Sequence, residues 1–293
     1  MSVSTATSNK KRRGFRSRLG AVGAVAALTM TALMGAACTS STASDKDAEA
    51  TVQSSTQESA ETEESEALTG ILVIYAAASL SGAFDVLTTE FEQMNPNVDV
   101  APPVYDGSSS LVTQILEGAQ VDVFASADMA NMDTLVDEGM AADDPEVFAT
   151  NQITVAVPAD NPAGITSIDD LADPGVSVVL CAPEVPCGAA ASKVLEAAGV
   201  AVTPVSSEQS VSAVAAKVAS GDADAGMVYV TDVQASDGEL EAISTPVDSE
   251  LLNRYPIAVV KDAPNAAAAE AFIQFVLSDR GQEILAEFGF GRP

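Results

Sequence analysis

The chain of 293 residues contains no histidine, no tryptophan and only three cysteines. The lack of histidine excludes a Ser-His-Asp triad and any histidine-based metal site. Two cysteines beyond Cys38 are too few for structural zinc, and a thiol nucleophile would lack its base. Positive charge is scarce as well. Six of the 13 lysines and arginines precede Cys38, where no acid stands, leaving seven against 42 acidic residues and a formal net charge of −35. That balance argues against nucleic-acid binding. An anionic ligand would need local dipoles acting against a global field that salt largely screens beyond about 10 Å. No Walker A sequence occurs, so the chain carries no ATPase phosphate loop of its own.

What is present begins with an address. Lys10-Lys11-Arg12-Arg13, Arg16 and Arg18 form a basic region, followed by an apolar, small-residue stretch from Leu19 to Ala37. This reads as an export signal, and Arg12-Arg13 is compatible with the twin-arginine kind. Cys38, directly after Gly35-Ala36-Ala37, resembles a lipoprotein processing site, although Gly35 stands where a larger aliphatic residue is usual. The alternative is a plain signal peptide. From Thr39 to about Ala67 the chain is mostly Ser, Thr, Ala, Glu and Asp, with only Val52 as a larger aliphatic residue. Such a segment buries too little apolar surface to offset its ordering entropy and is expected to be a disordered tether.

From Leu68 onward strands and helices alternate. Ile71 to Tyr75 reads as a strand, and Phe84, Leu87, Phe91 and Met94 fall on one helical face closed by Asn95-Pro96-Asn97. Val98 to Val104, Val121 to Phe124 and Ile153 to Val157 read as strands, with helices from Ser108 and over Met132 to Val136. Downstream come strands at Val176 to Leu180, Val202 to Val205, Gly226 to Val230 and Ile257 to Val260. Helices are expected over Ala189 to Ala198, Val211 to Val218 and Ala266 to Phe288, the last with a possible break at Asp279-Arg280-Gly281. Alternation of this kind predicts an α/β fold with parallel-rich sheets and helices on both faces.

In such sheets ligands gather beyond the carboxyl ends of strands, where helix N-termini present free N–H groups. Four junctions qualify: Ser79, Gly107-Ser108-Ser109-Ser110, Val185-Pro186-Cys187-Gly188 and Ser210-Val211. Each has an ordinary reading too. A serine at a helix start is usually an N-cap, Pro186 is commonly structural there, and Tyr229 at a strand end is usually a core aromatic. Cys181 and Cys187 bracket a five-residue loop of an exported chain, which suggests a disulfide, with a reduced pair as the alternative.

The stretches "YAAASL", "DGSSSLVTQI", "DVFASAD", "VPCG" and "GMVYVTD", in this order, resemble the molybdate-binding proteins of bacterial ABC importers, from about Leu72 to Phe290. The resemblance implies a two-lobe, type II periplasmic-binding-protein-like α/β fold, each lobe a mainly parallel sheet flanked by helices, with the ligand in the cleft. The expected layout is a signal peptide over 1–37, a lipidated Cys38 and acidic tether over 38–67, lobe 1 over 68–150, lobe 2 over 151–245, and a return to lobe 1 over 246–293. It also implies five contacts to molybdate or tungstate: hydroxyl and N–H of Ser79 and of Ser108, backbone N–H of Cys187 and of Val211, and the phenol of Tyr229. No cofactor and no catalysis are implied. The implied setting is a monomer tethered by lipid to the outer face of the cell membrane, docking on an ABC permease with its ATPase.

The resemblance fits the chemistry of these residue types. Molybdate and tungstate are fully deprotonated at neutral pH, so their oxygens only accept hydrogen bonds, and neutral hydroxyls and N–H groups satisfy them. Helix dipoles supply positive potential without a lysine or arginine. A phosphate site would need an acceptor for the ligand's proton, and Asp106 and Asp128 stand near the matched motifs. Other readings remain: a receptor for sulfate, a serine hydrolase using Lys193, Lys217 or a carboxylate as base, and a surface lipoprotein using the fold structurally.

Overall fold

The computed structural model describes residues 67–245 and 249–293. The expected signal peptide, Cys38 and almost all of the tether lie outside these residues. The order of elements is β1 (Gly70–Leu72), β2 (Ile74–Ala77), α1 (Ser81–Met94), β3 (Val98–Val100), β4 (Val104–Asp106), α2 (Ser108–Leu116), β5 (Val123–Ala125), α3 (Met129–Asp137), β6 (Glu146–Asn151) and β7 (Ile153–Pro158). Then follow β8 (Val178–Cys181), α4 (Pro186–Ala198), β9 (Ser206–Glu208), α5 (Val211–Ala219), β10 (Ala225–Tyr229), α6 (Val230–Gln234), β11 (Leu240–Ile243), β12 (Asn253–Val259), α7 (Ala266–Leu277) and α8 (Asp279–Glu287).

These strands form two five-stranded sheets, ordered β4-β2-β5-β12-β6 and β11-β7-β10-β8-β9, and a parallel pair β1-β3. The α/β architecture is as the alternation implied, but the pairing is mixed rather than mainly parallel. In the first sheet β2 runs parallel to β4 and β5, whereas β12 is antiparallel to β5 and β6. In the second, β8 is parallel to β9 and β10, whereas β7 is antiparallel to β10 and β11. The cause is connectivity. Helical crossovers produce parallel neighbours, but β6 passes through the single residue Gln152 directly into β7 of the other sheet, and the chain returns from β11 to β12. The crossing strands supply the antiparallel half of each sheet.

Helix α1 buries Phe84, Leu87 and Phe91 as the spacing predicts, whereas Met94, expected on the same face, is exposed at the helix end. The two phenylalanine rings meet Phe272 of α7 with centroids 5.9 Å from Phe84 and 5.3 Å from Phe91. The expected strand Val98 to Val104 is two strands, because Pro102 and Pro103 have no N–H to give to a ladder. The strand expected at Val202 to Val205 lies just beyond it, as β9. The long last helix divides at Ser278, whose hydroxyl accepts from the N–H of Gly281 and so caps α8. Strands β6 and β11 and helix α6 are additions to the expected elements.

Cys181, at the end of β8, and Cys187, in the first turn of α4, form a disulfide with their Cα atoms 5.7 Å apart. It closes a short loop, so loop-closure entropy gives it about 2 kcal/mol of stabilisation. Chemical denaturation with and without reductant should therefore differ by about this amount; equal midpoints would show that the bridge adds no stability.

Candidate functional site

Five strand ends converge on one cavity. Ser79 lies in a single 3-10 turn between β2 and α1, and Ser108 is the first residue of α2 after β4. From the second sheet come Cys187 in the first turn of α4, Val211 at the start of α5 after β9, and Tyr229, which ends β10. All five sequence-predicted residues line this cavity, together with Asp106, Gly107 and the alanines Ala77, Ala78 and Ala127. It encloses at most about 190 Å³. Drug-sized ligands occupy roughly 300–1,000 Å³, so the space suits a small polyatomic ion.

The first-turn N–H groups of Ser108, Cys187 and Val211 have no intrahelical acceptor and add the positive end of each helix dipole. Alanine and glycine in the lining keep the main chain within reach of a guest. The three hydroxyls are held from behind. Ser108 Oγ accepts from the N–H of Ala127 at 3.0 Å, and the Tyr229 hydroxyl accepts from Asn253 Nδ2 at 2.8 Å. Ser79 Oγ lies 2.9 Å from the Tyr255 hydroxyl, which accepts from Asn151 Nδ2 at 3.3 Å. Tyr229 is 1 % exposed. Desolvation, with Tyr255, Asp128 and Asp232 nearby, pushes its phenol well above the ordinary range, so it stays protonated and able to donate.

Asp106 qualifies the expectation of a lining without acids. It borders the cavity, with one carboxylate oxygen engaged by the N–H of Gly107 at 2.7 Å. Asp128 is elsewhere employed, capping α3 through the N–H of Asn131 at 3.0 Å. Sequence reasoning missed Asn151, Asn253 and Tyr255. None of the three stands at a strand-to-helix junction, and a polar residue near a strand terminus is too common to mark a site.

Neither lysine considered as a base for serine chemistry stands with the serines. Lys217 pairs with Glu208, and Lys193 borders a separate groove with Asp133 and Arg254.

Gly107 marks where the two sheets' helices touch. A Cβ built there would stand 2.0 Å from the carbonyl oxygen of Gln209, the residue before the Ser210 cap of α5. The neighbour is main chain, so no side-chain rearrangement relieves the clash. Gly107→Ala should leave each half folded but force them apart by more than an ångström. The expected readout is a larger radius of gyration by small-angle scattering with an unchanged circular dichroism spectrum; an identical radius would show that this contact does not set the spacing of the halves.

A neighbouring hollow shares Ser79 and is lined also by Ser212, Thr231 and Asp232. Asp232 accepts from the N–H of Tyr229 at 2.8 Å, yet desolvation raises its carboxyl to about 7. An acid raised on folding stabilises most below its ordinary range, near 4, and that share is lost as pH rises through 7. Asp232→Asn should therefore raise stability relative to the parent at pH 8 and not at pH 4. A stability difference independent of pH, measured by thermal unfolding, would mean that Asp232 ionises normally.

Comparison with known proteins follows the same outline. Residues 72–291 match the family model described as bacterial extracellular solute-binding protein. Molybdate-binding protein ModA of Mycobacterium tuberculosis is 42 % identical over 222 residues, covering 76 % of this chain and 85 % of the relative. Molybdate-binding protein ModA of Escherichia coli is 30 % identical over 231 residues, covering 75 % and 89 %. The solved periplasmic molybdate-binding protein of Azotobacter vinelandii superposes with a TM-score of 0.63 at 21 % identity, covering 76 % of this chain and 99 % of that one, and so shares the fold. With a family match over three-quarters of its length, this chain belongs to the bacterial extracellular solute-binding proteins, which are carriers of solute for transport and not enzymes.

Proposed function

We propose that the protein captures molybdate or tungstate outside the cytoplasmic membrane and delivers it to an ABC permease driven by a partner ATPase. The observation that carries this reading is the cavity itself. Hydroxyls of Ser79, Ser108 and Tyr229 and first-turn N–H groups of Cys187 and Val211 converge from both sheets on a space for one small ion. A tetrahedral dianion without protons offers only acceptors, and such a donor set meets it without a buried cation. The relatives from M. tuberculosis and E. coli, both named as molybdate-binding, support the choice of ligand.

In this mechanism an open form exposes the donors of one sheet, the anion settles on them, and the second set closes over it by hinge motion. The segments that cross between the sheets, at Gln152 and before β12, are the hinge in this reading. Cys38 carries the lipid, the segment to residue 67 is the tether, and the folded part works as a monomer at the outer face of the membrane. The lobes of the proposal are residues 68–150 with 246–293, and residues 151–245. Sulfate is the second reading. It has the same bonding character but is smaller, and a solved sulfate-binding protein from M. tuberculosis shares the fold with a TM-score of 0.65 at 18 % identity.

Calorimetric titration of the folded part with molybdate, tungstate, sulfate and phosphate tests the assignment. Tight one-to-one binding of the first two is expected, with the others weak; tight sulfate binding with weak molybdate would transfer the assignment. Tyr229→Phe removes one hydrogen bond to a charged ligand, worth roughly 1.5–3 kcal/mol, so molybdate affinity should fall about tenfold or more. An unchanged affinity would take Tyr229 out of the site.

A further inference from the structure

A set of hydroxyls does not by itself choose a proton-free anion. A serine or tyrosine hydroxyl carries one proton and lone pairs, and a free one can turn to accept from a ligand that bears a proton. Discrimination requires that the oxygen lone pairs facing the cavity be occupied by other donors. The structure supplies those donors from residues that the family resemblance does not assign.

Asn253 Nδ2 donates both to the Ala127 carbonyl at 3.0 Å and to the Tyr229 hydroxyl at 2.8 Å. Because a carbonyl only accepts, the amide cannot be reversed, and Tyr229 must receive. Asn151 is fixed in the same way from its other end. Its Oδ1 accepts from the N–H of Gln152 at 2.8 Å, which leaves Nδ2 facing Thr231 Oγ1 at 2.9 Å and the Tyr255 hydroxyl at 3.3 Å. With Asn151 donating to it, Tyr255 has its own proton available for Ser79 Oγ, 2.9 Å away. Ser108 is treated alike by the main-chain N–H of Ala127. Ser108 and Tyr229 thus each receive a hydrogen bond from the protein, and Ser79 does so when Tyr255 turns its proton toward it.

We propose that Asn253 and the Asn151–Tyr255 pair are positioning residues that lock Tyr229 and Ser79 as donors and thereby make the cavity reject oxyanions that carry a proton. The inference rests on the oxyanion reading above and deepens it. Asp106 is the competing explanation for any response to a protonated anion, since it lines the same cavity with one oxygen held by Gly107.

Sulfate and hydrogen phosphate are the discriminating probes, because near pH 8 both are dianions of similar size and only the second bears a proton. Each is measured by displacement of molybdate from wild type, Asn253→Ala, Tyr255→Phe and Asp106→Asn, with thermal unfolding as a check on folding. The wild type should prefer sulfate to hydrogen phosphate. In Asn253→Ala and Tyr255→Phe the hydrogen phosphate-to-sulfate affinity ratio should rise about tenfold or more, the size of one hydrogen bond to a charged group. A ratio unchanged in both variants overturns the inference even if molybdate affinity falls, since a merely structural role would weaken all anions together. A ratio that moves only in Asp106→Asn overturns it in favour of that carboxylate. A wild type that takes hydrogen phosphate as readily as sulfate also overturns it. Failure of the wild type to bind any of the oxyanions would instead defeat the functional reading, and would be seen before any variant is made.

Discussion

A buried polar group must find a partner, and in this protein that requirement governs the centre of the molecule. The Tyr229 and Tyr255 rings are nearly or fully buried between the sheets, with centroids 5.8 Å apart. Their hydroxyls cannot be left bare at such depth without a cost of about 1–3 kcal/mol each. Asn151 and Asn253 meet that need, and no buried side-chain polar atom among the described residues lacks a partner. In the proposal made above, the same bonds that satisfy the core also set which way the hydroxyl protons face. Stability and the chemistry of the cavity therefore share their atoms, and neither can be changed alone.

Connectivity explains why those atoms are where they are. Asn151 ends β6, Asn253 and Tyr255 begin β12, and both strands lie where the chain crosses between the sheets. The crossing strands are also the ones that make each sheet mixed rather than parallel. A residue there contacts both halves without belonging wholly to either. In the proposed mechanism the network at the crossing is therefore positioned to register closure, because Ser79 of the first sheet and Thr231 beyond the second both bond into it.

Much of this was legible in the sequence, for identifiable reasons. Tyr229 came only from the family resemblance, its local reading being a core aromatic, whereas Ser79 and Ser108 could be singled out because each places a hydroxyl at a junction after a predicted strand, a local pattern. The apolar spacing of Phe84, Leu87 and Phe91 gave α1 its buried face for the same reason. Tyr255 and the two asparagines could not be found this way. Tyr255 meets Asn151 across 104 positions and Ser79 across 176, so its role exists only after folding. Local signals also failed where one residue type overrode a periodic pattern, as Pro102 and Pro103 did between β3 and β4. Asp106 shows the opposite limit: its proximity to the cavity was readable, but not that Gly107 would occupy one of its oxygens.

The contact between Gly107 and the Gln209 carbonyl has a bearing on how such a receptor could diverge. Where Gly107 meets Gln209 the neighbouring atom is a main-chain carbonyl oxygen, which is present whatever side chain stands at position 209. The spacing at this contact works as a gauge that drift in the surrounding side chains leaves in place, Gly107 excepted. Retuning the cavity for a larger or smaller ion would then fall to the small residues that floor it, Ala77, Ala78 and Ala127. Each methyl group added or removed there changes the guest's room while the gauge holds still.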